Sequence, residues 1–140
     1  MRVLGIDYGR VRHGLAMSDE DEVLASPLPN LKRSKSSDAD VRAISELAAE
    51  KGIGRIVIGL PLQMDGTEGE MSDEVHAFAE RVRGGTGLPV SLIDERLTSA
   101  EAERVLLEGN VSRRKRKGLR DGLAAVLILQ AELDRRRSPD

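Results

Sequence analysis

The chain has 140 residues, a length that fits one domain with a core able to bury about two-thirds of the unfolded surface. It contains no cysteine, which excludes disulfides, thiolate zinc sites and cysteine nucleophiles. The net charge of −2 argues against a general nucleic-acid binder, and with Tyr8 and Phe78 as the only aromatic residues, recognition of stacked bases is not expected. Since no apolar run approaches the roughly 20 residues of a membrane span, we expect residues 1–140 to form one cytoplasmic domain.

The N-terminal part of the chain predicts three consecutive strands. Residues 3–7 are apolar and β-branched, and residues 13–18 form a second such run after a turn, a pattern typical of a β-hairpin. Residues 23–26 predict a third strand, which we expect Pro27 and Pro29 to end because proline cannot donate a ladder hydrogen bond. The chain therefore opens with an antiparallel meander.

From residue 38 onward, predicted helices alternate with predicted strands. We expect a helix capped by Asp38 and ended by Gly52, a strand over 55–59, a helix over about 70–83 ended by Gly84 and Gly85, and a strand over 88–94. A capping box at Thr98 predicts a helix to about residue 108, and the last helix is expected over about 119–137. This order predicts an α/β fold in which helices flank a mixed five-stranded sheet, first antiparallel and then parallel.

A concentrated block of positive charge precedes the last predicted helix. Residues 113–120 hold six basic side chains and no acidic one. Such runs are often only solvated surface segments, and we expect residues 109–118 to form a mobile basic loop and residues 135–140 a frayed tail. The position of this block beside Asp121 favours a role in holding phosphates, for which the chain offers Arg113, Arg114, Lys115, Arg116 and Lys117.

Carboxylates lie at the ends of three predicted elements, where separated segments can bring them together. Asp7 ends the first strand, Glu95 follows the fifth strand beside Asp94, and Asp121 opens the last helix. Each has an ordinary structural explanation, since Asp7 can cap a turn and Asp121 can interact with the helix dipole. Strand alternation points Asp94 and Glu95 to opposite faces, so one of them is expected in a shared site, with Glu95 preferred and Asp94 the alternative.

Convergence of these acids would require a cation. Ionised carboxylates in one site repel and raise one another's pKa unless a cation neutralises them, and oxygen-only ligands favour Mg²⁺ or Mn²⁺. Two such ions about 3.5–4 Å apart could activate a water and stabilise the leaving oxygen of a phosphodiester. His13 and His76 are not spaced as zinc ligands, so we expect packed or surface roles for them. The acids and the basic block together predict a metal-dependent nuclease.

Five motifs in a fixed order carry a resemblance to a known family. They are Gly5-Ile6-Asp7-Tyr8-Gly9, Arg12 with Gly14, Gly59-Leu60-Pro61 with Met64-Asp65-Gly66-Thr67, Asp94-Glu95-Arg96-Leu97-Thr98, and Arg114-Lys115-Arg116-Lys117. Together they span nearly the whole chain and closely resemble the YqgF family, also called RuvX or candidate pre-16S rRNA nucleases. The resemblance implies an RNase H-like fold related to Holliday junction resolvases.

The resemblance also implies a function and a set of site residues. It implies a cytoplasmic nuclease that acts in maturation of the 5′ end of 16S rRNA, with Asp7, Glu95 and Asp121 at the acidic positions. Arg12 and residues 113–117 would hold phosphates, and Gly9 and Gly14 would let the backbone approach them. Expected partners are RNA or branched DNA and pre-ribosomal particles, and the expected state is a monomer or weak homodimer.

Three other functions remain open from the sequence. Kinship to junction resolvases allows cleavage of branched DNA in recombination or repair. A ribosome-assembly or nucleic-acid-binding factor without catalysis could retain the acids for structure. An actin-like ATPase or sugar kinase would share the core fold, but those proteins close two such domains around a nucleotide, whereas this chain has enough residues for one.

Overall fold

The computed structural model describes residues 1–61, 69–95 and 113–137, with the backbone alone described over 113–122. The elements in these ranges are, in chain order, β1 (Arg2–Asp7), β2 (Arg12–Ser18), β3 (Ala25–Lys32), α1 (Ser37–Lys51), β4 (Ile53–Leu60), α2 (Glu70–Thr86), β5 (Val90–Asp94) and α3 (Arg113–Arg137). The helix predicted over residues 98–108 lies outside the described residues.

The sheet has the strand order β3-β2-β1-β4-β5. β1 pairs antiparallel with β2, and β2 antiparallel with β3, whereas β1 with β4 and β4 with β5 are parallel pairs. The prediction of a mixed five-stranded sheet, antiparallel and then parallel, is therefore confirmed. The carboxyl ends of β1, β4 and β5 lie at the same edge of the sheet because these three strands are parallel.

Each face of the sheet carries its own apolar cluster. α1 and α2 cover one face, where the strands contribute Leu4, Ile6, Leu15, Ile56 and Ile58 and the helices contribute Val41, Ile44, Val75 and Phe78. α3 covers the other face, where Val3, Ala16 and Val57 pack against Ala125, Leu129 and Leu133. Alternation along β1 explains the division, because successive side chains point to opposite faces.

The boundaries of β3 correct the sequence prediction. The strand runs from Ala25 to Lys32 and contains both Pro27 and Pro29, which were expected to end it. β3 lies at the edge of the sheet, where a residue without an N–H removes no bond to a further strand. The register with β2 also shifts between His13 and Leu15, so Pro29 sits at a bulge.

The two helices on the first face also differ from prediction at their ends. The Ser36 hydroxyl, rather than Asp38, caps α1 by accepting a bond of 3.3 Å from the Ala39 amide. α2 continues through Gly84 and Gly85 and ends at Gly87, which has φ 70. Glycine inside a helix costs only about 1 kcal/mol, and an added Cβ on Gly85 would overlap Val41 of α1. Gly85 thus permits close packing of the two helices.

The last helix begins earlier than predicted. α3 starts at Arg113, so residues 113–118 of the expected loop 109–118 are helical, and 109–112 lie outside the described residues. Arginine and lysine are good helix formers, and their helix propensity outweighs the cost of the single glycine at Gly118. At the other end the helix reaches Arg137, inside the expected tail of residues 135–140. Within the described ranges, no helix combines the length and apolarity needed to cross a membrane.

Candidate active site

Asp7 lies at the carboxyl end of β1 on the face covered by α3. Val3 packs in the cluster under α3, and Gly5 and Asp7 follow it at two-residue spacing. A Cβ on Gly5 would lie 2.8 Å from Cβ of Leu129 and 3.3 Å from the carbonyl oxygen of Ala125, so glycine lets α3 approach the strand closely. Asp7 is half-buried and pairs with Gly14 across the β1–β2 ladder.

Glu95 follows β5 and folds back over the bare backbone of Gly59 in β4. A Cβ on Gly59 would lie 2.8 Å from Oε1 of Glu95 and 2.6 Å from Cδ1 of Ile128 in α3. The carboxylate therefore lies on the face covered by α3. Strand alternation places Asp94 on the opposite face, with Val90 and Leu92 in the cluster under α1 and α2.

Asp7 and Glu95 are brought to neighbouring strands. The parallel register pairs Gly5 with Val57 and Ile6 with Ile58, so one further step places Asp7 beside Gly59. Adjacent strands lie about 4.8 Å apart, and the Glu95 carboxylate contacts the face of Gly59. The two acids therefore share one corner of the sheet.

The third acidic position lies on α3. Ile128 of this helix contacts Gly59 near the end of β4, whereas Glu132 bonds Arg55 near its beginning at 3.4 Å. The helix therefore runs antiparallel to β4, with its N-terminal end toward the corner that holds Asp7. Residue 121 is four residues, or about 6 Å along the helix, before Ala125, whose carbonyl lies against Gly5.

The Asp121 side chain lies outside the described side chains. Among the side chains that are described, no three His, Cys, Asp or Glu residues form a group able to hold a metal ion. The backbone brings residues 7, 95 and 121 to one end of the sheet, and Asp7 and Glu95 are the two whose side chains can be followed there.

The turn between β1 and β2 is held by a side chain from β2 and by one that directly follows β3. The Gly9 amide donates to Nδ1 of His13 at 3.1 Å, and Nη1 of Arg33 donates to the Gly9 carbonyl at 3.1 Å. A Cβ on Gly9 would overlap the carbonyl oxygen of Arg12, so this tight turn requires glycine. Asp7 and Arg12 are thereby fixed relative to each other.

His13 is packed inside the domain, one of the two roles expected for it. Its ring lies 5.0 Å from the ring of Tyr8 and 4.8 Å from that of Phe78. Burial, assisted by the positive charge of Arg33, lowers its pKa to about 4, against the opposing effect of Asp40. The neutral imidazole can accept the Gly9 hydrogen bond at Nδ1, with its proton at Nε2.

Two residues that no sequence motif singles out connect this turn to the rest of the fold. Arg33 lies 5.2 Å above the Tyr8 ring, and Glu74 of α2 accepts from the Tyr8 hydroxyl and from Arg10, both at 3.2 Å. Burial is the main cause that raises the pKa of Tyr8. Arg33 contacts Gly9 across 24 positions of sequence, and Glu74 contacts Tyr8 across 66. No local motif encodes contacts between residues so far apart.

The predicted phosphate-binding residues fall into two groups. Arg12 is exposed at the start of β2, directly opposite Lys32 of β3, and Gly14 pairs with Asp7. Residues 113–117 form the first turn and a half of α3, described as backbone alone. Arg12 is two residues from Gly14, the partner of Asp7, and residues 113–117 lie about 6–12 Å before residue 121 along α3.

Comparison with solved structures supports an RNase H-like fold. Over 98% of this chain and 96% of the other, the structure resembles T. thermophilus RuvC in complex with Holliday junction substrate, with a TM-score of 0.65 and 16% sequence identity. A second T. thermophilus RuvC structure has a TM-score of 0.56 over the same fractions of the two chains. The likeness establishes the architecture expected from the sequence motifs.

Residues 1–135 match the family model described as RuvX, Holliday junction resolvase, and the chain belongs to this family. A relative from Anaeromyxobacter sp. (strain K) is 46% identical over 136 residues, which cover 97% of this chain and 98% of the other. One from Endomicrobium trichonymphae is 43% identical over 134 residues, or 95% of each chain. The names of both relatives describe candidate pre-16S rRNA nucleases.

Proposed function

We propose that this protein is a metal-dependent nuclease that cleaves phosphodiesters at the 5′ end of pre-16S rRNA. Membership of the RuvX family and the names of its relatives support the reaction and the substrate. The observation that carries the proposal is the position of the Glu95 carboxylate against Gly59, on the strand beside Asp7. Two carboxylates lie at one corner of the sheet, on the face covered by the helix that carries Asp121. Their negative charges would repel a phosphodiester unless a cation is bound with them.

The donor set fits Mg²⁺ or Mn²⁺. Asp7 and Glu95 supply carboxylate oxygens, the ligands these hard cations prefer, and Asp121 completes the set in this proposal. Such ions, of which two are expected, would polarise the phosphoryl group and lower the pKa of an attacking water. The carboxylates fix the position of this centre, and Gly59 leaves room for Glu95 to reach it.

The remaining residues of the proposal hold the strand. Arg12 and residues 113–117 border the acidic corner and neutralise phosphate charge, which positions a strand without reading its sequence. Gly9 and Gly14 keep the backbone near Asp7 free of side chains. In solution we expect a monomer or weak homodimer that contacts pre-ribosomal particles.

Branched DNA is a second candidate substrate. The family model is described as a Holliday junction resolvase, and the RuvC structure that this fold resembles is a complex with a Holliday junction substrate. The same acids and cations would serve either polymer, since the reaction occurs at the phosphodiester in both. The two substrates must therefore be compared directly.

The test measures cleavage of a 5′-extended 16S rRNA fragment and of a four-way DNA junction, with Mg²⁺ or Mn²⁺. We expect Asp7→Asn, Glu95→Gln and Asp121→Asn to lower the cleavage rate at least about 100-fold, because each removes charge from the metal site. Asp134→Asn, on the exposed part of α3, is the matched control and should cleave like wild type.

The outcomes separate the alternatives. Preference for the rRNA fragment supports the proposed substrate, and preference for the junction selects the second one. Equal cleavage by wild type and all three site variants would remove the acids from the reaction. Binding without cleavage of either polymer would indicate a factor that is not catalytic. Loss of activity in Asp94→Asn but not in Glu95→Gln would exchange the two residues in the site.

A further inference from the structure

Two cations lie directly opposite each other at the end of the β2–β3 ladder. Arg12 pairs in register with Lys32, and both are exposed. Together with Val11 and Asn30 they line a cleft of about 310 Å³. Directly opposed residues of antiparallel strands have Cβ atoms about 4.5–5.5 Å apart, so one anion can contact both side chains.

The pair lies on the same face of the sheet as Asp7. Ala16 packs under α3, and Gly14 and Arg12 share its face by two-residue alternation. Lys32 is on that face because it is the cross-strand partner of Arg12, and Asp7 is there as the partner of Gly14. Lys32 is two strands and two residues from Asp7, which corresponds to about 12 Å.

The backbone around the pair is fixed. The Arg33 amide donates to the carbonyl of Val11 at 3.1 Å, which extends the ladder beyond Arg12 and Lys32. The Arg33 side chain also donates to the carbonyl of Gly9 at 3.1 Å. Both cations are therefore presented by ordered backbone, and a bound anion needs to order only their side chains.

We propose that Arg12 and Lys32 jointly bind one backbone phosphate of a nucleic acid, at a subsite about 12 Å from Asp7. The cleft is lined by cations on both sides and lies on the face of the acidic corner, which suits a polyanion that extends past it. The location relative to the cleaved bond rests on the proposed function, but the phosphate contact itself does not. The subsite adds Lys32 to the binding residues.

Fluorescence anisotropy in EDTA tests the subsite without cleavage, using a labelled RNA duplex and a DNA duplex of the same sequence. Affinity is measured between about 50 and 200 mM salt for wild type, Lys32→Gln, Arg12→Gln and the double variant. Lys51→Gln is the matched control, because it removes one half-buried positive charge at the far end of α1, beside Glu50.

We expect Lys32→Gln to bind several-fold more weakly than Lys51→Gln, and Lys32→Arg to bind like wild type. The double variant should reduce the slope of log K against log salt by about 0.7–0.9, the value for one phosphate. Its loss of affinity should be smaller than the product of the two single losses, since both residues hold the same phosphate. The melting temperature of Lys32→Gln should be close to that of wild type, because Lys32 is exposed.

Equal affinity and salt slope for Lys32→Gln and Lys51→Gln on both duplexes would overturn the subsite, as would failure of wild type to bind either duplex. The result is separable from the proposed function. A wild-type protein that cleaves, with Lys32→Gln identical to the control, loses the subsite and keeps the nuclease. A protein that does not cleave, with the predicted change of slope, loses the nuclease and keeps the subsite.

Discussion

The backbone amide of Gly9 donates a hydrogen bond of 3.1 Å to Nδ1 of His13, a buried imidazole between Tyr8 and Phe78. Burial lowers the pKa of His13 to about 4 from its ordinary 6.5, so the folded protein binds this proton less readily than the unfolded chain. Protonation would also turn Nδ1 from acceptor into donor. The turn that carries Asp7 into Arg12 therefore depends on neutral imidazole.

This linkage predicts a pH-dependent stability. As the pH falls from about 6.5 to about 4, the unfolded state takes up the proton before the folded state does, so the free energy of unfolding decreases by up to about 3 kcal/mol. His13→Phe keeps a ring in the aromatic cluster and removes the titration. Urea unfolding at pH 7, 5.5 and 4.5 should show a flatter pH dependence for His13→Phe. The same dependence in both proteins would contradict the assignment to His13.

Gly59 provides a second test, because its bare backbone is covered by Glu95 and Ile128. In Gly59→Ala the added methyl would lie within 2.8 Å of the Glu95 carboxylate and displace it. We expect cleavage to fall more than about 10-fold, since a displacement near 1 Å can cost about 100-fold in rate. Overpacking should also lower the free energy of unfolding by about 1–3 kcal/mol.

Gly54→Ala is the control for this substitution. It lies in the same strand at the far end of the sheet, and the three atoms nearest to its added methyl all belong to the flexible, exposed side chain of Met1. It should keep both stability and cleavage. Titration with Mn²⁺ separates lost stability from displacement of Glu95 in Gly59→Ala. A displaced Glu95 should raise the Mn²⁺ concentration needed for half-maximal cleavage, even in the folded fraction. An unchanged Mn²⁺ requirement would leave Glu95 outside the metal site.

The order of strands and helices followed from the sequence, whereas several boundaries did not. Alternating runs predicted the meander and the parallel strands, and both are present. The prediction that Pro27 and Pro29 end the third strand was wrong. A strand tolerates proline when it lies at the edge of the sheet, and that position is a property of the whole sheet. The prediction that Gly84 and Gly85 end α2 was also wrong, because close contact of Gly85 with α1 favours a glycine within the helix.

The candidate site, too, could be predicted from the sequence only in part. Asp7 was identifiable because an acid ends an apolar strand, and the opposite orientations of Asp94 and Glu95 followed from alternation. Whether Asp94 or Glu95 points toward α3 depends on how this helix packs, and the helix begins 18 residues after Glu95. Lys32 was not found because the third strand was expected to end at residue 26, which left Lys32 outside it, whereas β3 continues to Lys32 and pairs this residue with Arg12.

The basic segment at the start of α3 gives a prediction about salt. Replacing Arg114, Lys115 and Arg116 together with glutamine should weaken binding of an RNA duplex and reduce its salt slope by about 2–3, if each residue contacts one phosphate. The matched control replaces Arg42, Lys51 and Arg81, which carry the same charge on α1 and α2, on the face of the sheet away from α3. Equal slopes for the two triple variants would exclude the first turns of α3 from the binding surface.

At the end of the sheet away from Asp7, a buried ion pair attaches α3 to β4. Glu132 is buried and bonds Arg55 at 3.4 Å, with Arg135 at 2.7 Å, and Arg55 also bonds Glu22 at 3.1 Å. Removing one partner leaves a buried charge poorly compensated, so Glu132→Ala should lower the free energy of unfolding by about 3 kcal/mol or more. Asp134→Ala, two residues along the same helix and exposed, should change it by less than about 0.5 kcal/mol.

The double variant Arg55→Met with Glu132→Leu distinguishes charge from packing. Because it removes both ions and keeps side chains of similar length, it should recover most of the stability lost in Glu132→Ala. Chemical denaturation at one pH measures all three variants. The double variant should also retain cleavage, since this pair lies at the opposite end of β4 from Gly59 and Glu95. A double variant as unstable as Glu132→Ala would show that α3 is held there by the specific ion pair, and not by the volume its side chains fill.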